Sequence, residues 1–431
     1  MSVFAKASAS RSRSLKAVLS GVAILGVSAV VLSGCAPTDA PAGDVKPGET
    51  LELKIGTALP VTGSLAFLGP PEIAGVGLAV QDINAADLGV TVDVTYGDSG
   101  DTDNKAYETE VPRLLSAGVS AIIGAASSGT SKQFIDSVVG AGVIQFSPAN
   151  TSIDFTTWDD NGLYWRTAPS DILQGEVLGT LMASDGVSNL AIINREDSYG
   201  TGLSARAKEV FEESGGTVVS TQTYKEEDTI YTTQVSATLA SNPDAILLVA
   251  FDEAKQIIPQ LAQGGFDLSK LYLTDGDLAN YSEDFTPLGI SLEGAKGTTP
   301  GLDLDTLGGF KDDVAAFWAT SDQNASGEEL TEFSYAPESY DAIVLLALAA
   351  LAAGSVDGVD IAGKLQEVSG GSGDGTKCTS FAECAQLILN GDTVDYDGNS
   401  GPITYDEVGD PTEATMGIFQ YAADNTFSRI N

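Results

Sequence analysis

Small hydroxyl side chains occur together at Ser127 and Ser128, directly after the predicted strand at residues 119–124 and at the start of a predicted helix. Gly129 follows them and leaves the neighbouring backbone amides open to a ligand. Helix N-termini with free N–H groups bind anions. Lys132 comes three residues after Gly129 instead of next to it, which departs from a phosphate-binding P-loop, so the pattern favours a carboxylate. A plain Ser/Thr helix cap would use the same residues.

A second polar segment, made of Ala149, Asn150 and Thr151, follows the next predicted strand at residues 143–146. Neighbouring strands of an open α/β sheet end at the same edge, so we expect this segment to lie beside the first one. A simple turn is the alternative interpretation.

Tyr199 and Asp275 also follow predicted strands, but in the second half of the chain. Tyr199 stands between flexible residues, which predicts an exposed aromatic lid over a ligand; local packing at a helix start is the alternative. Asp275 could hold an ammonium group across a cleft from the anion-binding segment. Asp277 could pair with it for acid/base chemistry, although aspartates two apart in one turn need not converge on one bond. Both could also be solvated turn residues.

The elements that carry these segments alternate between strand and helix from Leu51 onward, which indicates βαβ units and a parallel sheet. The alternation restarts after Pro169, so two α/β lobes are predicted. The apolar segment Leu345–Ala353 is too short to span a membrane and is predicted to be a buried helix.

Composition excludes several classes of function. The 431 residues contain no histidine, which removes histidine-based catalysis and histidine metal ligands. With 21 basic and 60 acidic residues, the net charge of −39 argues against nucleic acid as a partner. No cofactor is predicted.

The N-terminus resembles a lipoprotein signal peptide covering residues 1–34. Basic residues at positions 6–16 precede an apolar run, and the sequence Leu32-Ser33-Gly34-Cys35 resembles a lipobox, which implies cleavage before Cys35 and lipidation of its sulfur. An ordinary signal peptide or a membrane anchor helix is the alternative. Residues 35–50, rich in Pro, Gly and acids, are predicted to be a flexible tether.

Cys378 and Cys384 are predicted to form a local disulfide, because a close pair in an oxidising compartment is more often a disulfide than a metal site. The segment Asp395–Gly401 resembles the start of a calcium loop, but its glycine falls one place late and Asp406 stands where a glutamate is usual. No metal is therefore predicted.

Taken together, five segments resemble the type I periplasmic binding proteins of ABC importers, in the leucine/isoleucine/valine-binding group, over roughly residue 51 to the C-terminus. In chain order the segments read LPVTG…FLGPPEIAGVGLAVQDIN, ASSGTS, SPANT, DSYGTG and YDGNSGPITYDEVGD.

The resemblance implies an α/β fold of two doubly wound lobes, a clamshell joined by three crossovers near Pro169, Gly297 and Gly401. The first lobe would comprise residues 51–168 and 298–400, and the second lobe residues 169–297 and 401–431. It implies no enzymatic activity.

The family's ligand contacts correspond to seven positions here. The resemblance assigns the α-carboxylate loop to Ser127, Ser128 and Gly129, a second loop to Ala149 and Thr151, a stacking tyrosine to Tyr199 and the ammonium-binding acid to Asp275. Further candidate ligand contacts are Phe67, Leu68, Asn150, Phe251 and Asp277.

Three departures from the family pattern limit what it implies about the ligand. Gly129 stands where the leucine binder has serine, Asp275 replaces a longer glutamate, and Phe67, Leu68 and Phe251 occur where tyrosine is common. The general site is therefore better supported than branched-chain specificity.

We therefore predict an extracytoplasmic, monomeric substrate-binding protein that is anchored to the bacterial membrane through a lipid on Cys35. It would capture an amino acid, or a related small zwitterion or amide, and deliver it to the permease subunits of an ABC transporter. A ligand-sensing receptor of the same fold and an extracytoplasmic enzyme using Asp275 and Asp277 are the alternatives.

Overall fold

A computed structural model describes residues 50–373 and 375–431 of the chain. The predicted signal peptide, Cys35 and nearly all of the tether lie outside these described residues. All of the described residues belong to one compact unit.

The strands of the described residues form three sheets. In chain order they are β1 (Leu51–Ala58), β2 (Val90–Thr95), β3 (Ala121–Gly124), β4 (Ile144–Ser147), β5 (Tyr164–Arg166), β6 (Asn189–Arg195), β7 (Thr217–Tyr224), β8 (Ala245–Val249), β9 (Leu271–Leu273), β10 (Lys296–Pro300), β11 (Thr376–Cys378), β12 (Val394–Gly398), β13 (Gly401–Pro402), β14 (Met416–Tyr421) and β15 (Phe427–Arg429).

The α-helices of the described residues connect and cover these strands. They are α1 (Gly69–Ala86), α2 (Tyr107–Ser116), α3 (Ser128–Val139), α4 (Asp171–Ser184), α5 (Ser198–Glu213), α6 (Thr232–Ala240), α7 (Ala254–Gln263), α8 (Ser282–Phe285), α9 (Phe310–Thr320), α10 (Ala336–Ala353), α11 (Gly358–Val368) and α12 (Phe381–Leu389).

The sheet order confirms the predicted doubly wound fold. The first sheet runs β2-β1-β3-β4-β5 and is parallel throughout. The second runs β15-β14-β10-β9-β8-β6-β7, with the antiparallel strands β14 and β15 at one edge. In both sheets the strand order reverses next to the first strand of the lobe, and ligands bind at such switch points.

We call the part of the chain around the first sheet the first lobe and the part around the second sheet the second lobe. The chain passes between them after β5, after β10 and between β13 and β14. Gly297 pairs with Leu273 and Phe419 inside β10, so the second sheet extends to Pro300 rather than ending at the predicted boundary. Gly401 pairs with Gly398 and stays with the small third sheet, which packs on the first lobe.

Helix α10 forms the centre of the first lobe, as predicted for its apolar second half. Among the described residues it is the one helix with the length and apolar character of a membrane span, and 94% of it is buried inside the protein. It packs against α1, where Gly75 faces the carbonyl of Ala336. Burial on all sides explains why its sequence is apolar all round.

The Cys378–Cys384 disulfide is present and joins β11 to the start of α12, with 5.4 Å between the Cα atoms. The neighbouring turn, which resembles a calcium loop in sequence, is organised by a side chain of α10. The Asp341 carboxylate accepts hydrogen bonds from the amides of Asn399 (3.0 Å) and Ser400 (2.7 Å). These amides therefore face a protein carboxylate.

Candidate ligand-binding site

The loop between β3 and α3 brings the first predicted segment to the carboxyl edge of the first sheet. Gly124 ends β3 with φ +111° and precedes a cis peptide bond to Ala125; a β-carbon there would lie 2.1 Å from the Ala58 carbonyl oxygen. Ser127 caps α3 by accepting a hydrogen bond from the Thr130 amide (3.3 Å). The helix thus starts two residues earlier than predicted, and Ser128 and Gly129 lie in its first turn.

The serine hydroxyls of this loop keep a proton to donate to a ligand. Ser127 Oγ accepts from Thr130, and Ser128 Oγ accepts from the Ser152 amide at 3.3 Å. Both side chains are buried. Because α3 presents the positive end of its dipole here, the loop can hold an anionic group.

The segment after β4 lies beside this loop, as predicted, and Asn150 ties the two together. Its side-chain amide donates to the carbonyls of Ala125 (3.0 Å) and Ala126 (2.7 Å), and its oxygen accepts from the Tyr164 hydroxyl (3.1 Å). Both amide hydrogens are thereby used within the loops. The structure therefore gives Asn150 a scaffolding position rather than the predicted ligand contact.

Ala149 and Thr151 flank Asn150 at the same sheet edge, and both are buried. Ala149 packs in an apolar cluster that includes Tyr199 and Phe251 of the second lobe. The Thr151 hydroxyl has no hydrogen bond of normal geometry among the described residues, but it lies close enough to the Asp171 carboxyl to oppose the rise of that group's pKa. A bound ligand could complete its hydrogen bonding.

Arg166 holds the segment after β4 in place through its backbone carbonyls. Its guanidinium donates to the carbonyls of Asn150 (3.3 Å) and Ser152 (2.8 Å) and makes a two-point contact with Asp410 (2.6 and 2.8 Å). It is completely buried. Its charge is therefore already paired, so the carboxylate site depends on hydroxyls and amides rather than on this arginine.

Tyr199 is not the exposed lid that its flexible neighbours suggest. Helix α5 begins at Ser198, four residues earlier than predicted, because Asp197 caps it by accepting from the Gly200 amide (2.6 Å). Tyr199 thus lies in the first helical turn, only 3% exposed. Its hydroxyl lies 2.7 Å from Asp275 Oδ1 and 2.9 Å from Thr274 Oγ1.

Asp275 lies at the centre of the site in the second lobe. Its Oδ1 accepts from Tyr199, and its Oδ2 accepts from the Tyr335 hydroxyl at 2.6 Å. Burial raises the pKa of Asp275, and the two phenol hydrogen bonds oppose that rise. The Gln174 side chain opposes the rise as well. A carboxylate has about four lone-pair sites, so Asp275 keeps capacity for a ligand donor.

Asp277 has a different position from Asp275 although only one residue separates them. Its Oδ1 accepts from the backbone amide of Thr274 (2.6 Å) and from its hydroxyl (3.1 Å), so it stabilises the turn after β9. Burial raises its pKa well above the usual value. The two aspartates therefore do not form the acid/base pair considered above.

Two residues of the site were missed in the sequence. Tyr335 immediately precedes α10, has φ +63° and reaches Asp275; it follows no strand, so the strand-end pattern could not find it. Asp171 begins α4, and its amide donates to the Thr151 carbonyl (2.7 Å). Its position directly after the Ser170 helix cap is the available sequence signal, but that signal indicates a helix start and not a ligand-binding residue.

Asp171 is completely buried, and neither carboxylate oxygen has a hydrogen bond of normal geometry among the described residues. Burial and the nearby Asp275 raise its pKa well above the usual value. An unpaired buried carboxyl is costly. Asp171 and Asp275 together make the site attractive to a cation.

A cavity of about 150 Å³ opens beside these groups and is lined by Phe67 of the first lobe and Phe251 and Gly276 of the second. Phe251 stacks on Tyr199, with 5.4 Å between the ring centroids. Leu68 does not line this cavity; it is buried in the same apolar cluster. A cavity of this volume accommodates a group about the size of benzene.

Comparisons with known proteins show which family the chain is similar to. The sequence profile of the family described as periplasmic binding protein matches residues 52–399. The Leu/Ile/Val-binding protein homolog 2 of Brucella abortus is 28% identical over 333 residues, which cover 73% of this chain and 82% of the relative.

Solved structures share the fold at lower identity. The branched-chain amino acid substrate-binding protein LivJ of Streptococcus pneumoniae, in complex with isoleucine, has a TM-score of 0.67 and 19% identity, and covers 88% of this chain and 99% of its own. A solute-binding protein of Rhodopseudomonas palustris in complex with benzoate also has a TM-score of 0.67, at 17% identity, covering 88% and 96%. The same fold thus holds chemically different ligands.

Proposed function

The chain belongs to the type I periplasmic binding proteins of the leucine/isoleucine/valine-binding family, which bind a substrate without converting it, and on that premise we propose that it captures an α-amino acid between its lobes for an ABC permease. The observation that carries this proposal is Asp275. It is a buried carboxylate held by two phenols in the second lobe, beside a cleft whose first-lobe wall is an anion-binding helix start.

The first lobe supplies the groups that a ligand carboxylate needs. The hydroxyls of Ser127 and Ser128 and the first amides of α3 are directed to one sheet edge, together with the hydroxyl of Thr151. Hydrogen bonds to a charged group are stronger than neutral ones. We therefore assign the ligand carboxylate to this wall.

The positively charged group of the ligand would bind to Asp275 and Asp171. The buried arginines close to the site, Arg166 and Arg195, are both paired with carboxylates. An ammonium group would pair with the two aspartates and relieve the cost of burying them.

The ligand side chain would enter the cavity between Phe67 and Phe251. Its volume suits a branched aliphatic or a small aromatic side chain. The aromatic rings of Phe67, Phe251 and Tyr281 line it together with charged side chains, namely Asp252, Lys255, Asp284 and Glu332.

Titration calorimetry with L-leucine, L-isoleucine, L-valine and L-phenylalanine tests the assignment. We expect Asp275→Asn to weaken binding about 100-fold, because the amide oxygen can accept from one of the two phenols but the charge that holds the ammonium is lost. Deaminated analogues such as 4-methylpentanoate should bind wild type and variant alike, and weakly.

Asp322→Asn, at an exposed position outside the site, is the matched control and should bind like wild type. Equal affinity of wild type and Asp275→Asn for every amino acid would contradict the ammonium assignment. Conversion of a recovered ligand would contradict the non-enzymatic function.

We further propose that the protein is held at the outer face of the cell membrane by a lipid on Cys35. The support is the order of a basic segment, an apolar run and the Leu32–Cys35 lipobox. We expect Cys35→Ser to release the protein into the soluble fraction, measured by fractionation and by mass spectrometry of the N-terminus. A wild-type N-terminus without a lipid mass would contradict the proposal.

A further inference from the structure

A contact outside the ligand-binding groups joins the two lobes across the cleft. Thr102, in the first-lobe loop between β2 and α2, donates a hydrogen bond from its hydroxyl to the carboxylate of Glu226, in the loop after β7. The chain positions are 124 residues apart and belong to different sheets. The contact therefore exists only while the lobes are closed on each other.

Glu226 also lies against the start of the helix that forms the anion wall. Its second carboxylate oxygen is 3.4 Å from the point where a β-carbon on Gly129 would lie, and the Asp197 β-carbon is 3.5 Å from the same point. Both distances are ordinary van der Waals contacts, so the second lobe packs directly against the first turn of α3.

Arg195 holds Glu226 in this position. It donates to Glu226 (3.1 Å), Asp197 (2.7 Å) and Glu253 (2.8 Å), and it is 1% exposed. Its guanidinium lies 3.6 Å from the centroid of the Phe251 ring. With three acceptors and one ring face occupied, the arginine has little freedom to let Glu226 move.

The same arginine connects the interlobe contact to the ligand cavity. Phe251, on which Arg195 lies, lines the cavity and stacks on Tyr199, whose hydroxyl contacts Asp275. A ligand that fixes Phe251 and Tyr199 also fixes the platform of Arg195. The path from cavity to Glu226 consists of directly touching groups.

We propose that Glu226, positioned by Arg195, is a latch that closes on Thr102 and slows ligand release without touching the ligand. This inference rests on the proposed ligand-binding function only because a bound ligand is needed to measure a release rate. The latch stabilises the closed state with or without a ligand. Because a ligand enters the open state and leaves only after the closed state opens, the latch should change dissociation and leave association nearly unaltered.

Stopped-flow measurement of L-leucine binding tests the latch with two variants, each of which keeps the shape of the side chain that it replaces. Thr102→Val removes the donor hydroxyl, and Glu226→Gln removes the charge that Arg195 holds. We expect each to raise the dissociation rate about tenfold, as loss of a hydrogen bond to a charged group would, and to change the association rate less than twofold. The double variant should be no worse than the more damaged single variant, because both remove one contact.

Glu227→Gln, at the exposed neighbouring position, is the matched control and should behave like wild type. Thr102 and Glu226 lie in loops, so the melting temperature should not move. Unchanged dissociation in both variants, or effects that add in the double variant, would overturn the latch.

Amide hydrogen exchange of the ligand-free protein separates this proposal from the ligand assignment. We expect faster exchange at residues 125–131 in both variants than in wild type and Glu227→Gln, whether or not L-leucine binds. If leucine fails to bind wild type but this difference is seen, the latch stands and the ligand assignment fails. If exchange is identical in all four proteins, the latch fails.

Discussion

Buried carboxyl groups without a basic partner are concentrated around the ligand cleft and the start of α10. Asp171, Asp275 and Asp277 line one side, and Glu72 and Glu338 face each other between α1 and α10. Burial raises the pKa of each of them. Each group therefore takes up a proton at a higher pH in the folded chain than in the unfolded one.

Glu338 gives this observation a measurable consequence. Burial, with a smaller contribution from Asp341, raises its pKa to about 8. The folded state binds this proton between pH 4.5 and 8 and the unfolded state does not, so stability falls as pH rises through that window. We expect Glu338→Gln to remove a slope of up to ~1.4 kcal/mol per pH unit in the free energy of unfolding.

Urea unfolding of the ligand-free protein at pH 5, 6 and 7 measures that slope. Glu329→Gln, at an exposed position, should keep the wild-type slope. Parallel lines for wild type and Glu338→Gln would mean that Glu338 is ionised throughout the window in the folded protein.

For individual residues, the sequence predicted where polar side chains lie better than it predicted which of them can contact a ligand. Asp275 could be placed because it directly follows a strand, and strand ends share an edge. Tyr335 could not, because its approach to Asp275 depends on how the second lobe meets α10. Asn150 and Asp277 have the residue types of ligand contacts, but local hydrogen bonds use their side chains.

The helices that carry the site begin earlier than periodicity alone indicates. For α3 and α5, the capping residues Ser127 and Asp197 add a turn before the first apolar position. That added turn changes Tyr199 from an exposed loop residue to a buried one. Apolar spacing reports the buried face of a helix, whereas the cap determines where it begins.

A glycine in the first lobe makes a close approach between helices α1 and α10 possible. A β-carbon on Gly75 of α1 would lie 2.3 Å from the Ala336 carbonyl oxygen of α10. We expect Gly75→Ala to destabilise the protein by about 1–3 kcal/mol despite the better helix propensity of alanine, because backbone must move.

Gly363→Ala in α11 is the matched control, since no atom lies within 4 Å of the added carbon. It should stabilise the protein by up to about 1 kcal/mol. Thermal or urea unfolding compares the two. A stabilising Gly75→Ala would show that α1 and α10 can separate at little cost.

Across the whole molecule, the alternation of strands and helices was enough to predict two doubly wound lobes. The lobe boundaries were less accurate, since Gly297 and Gly401 both lie within paired strands. A glycine indicates where the chain could turn from one lobe to the other, but strand pairing determines where it does turn. Contacts between the lobes, including Thr102 with Glu226, involve residues far apart in sequence that no local pattern relates.

The antiparallel pairing of β14 with β10 has a consequence for how the chain is made. Strand β10 is synthesised more than a hundred residues before β14 covers its edge, and the first lobe likewise waits for α10, α11 and α12. Until then β10 presents unpaired backbone groups of the kind that templates aggregation. Neither lobe can complete its sheet and core from residues 50–287 alone, so a polypeptide emerging in order from N- to C-terminus finishes folding only after α10 to α12 and β14 have followed.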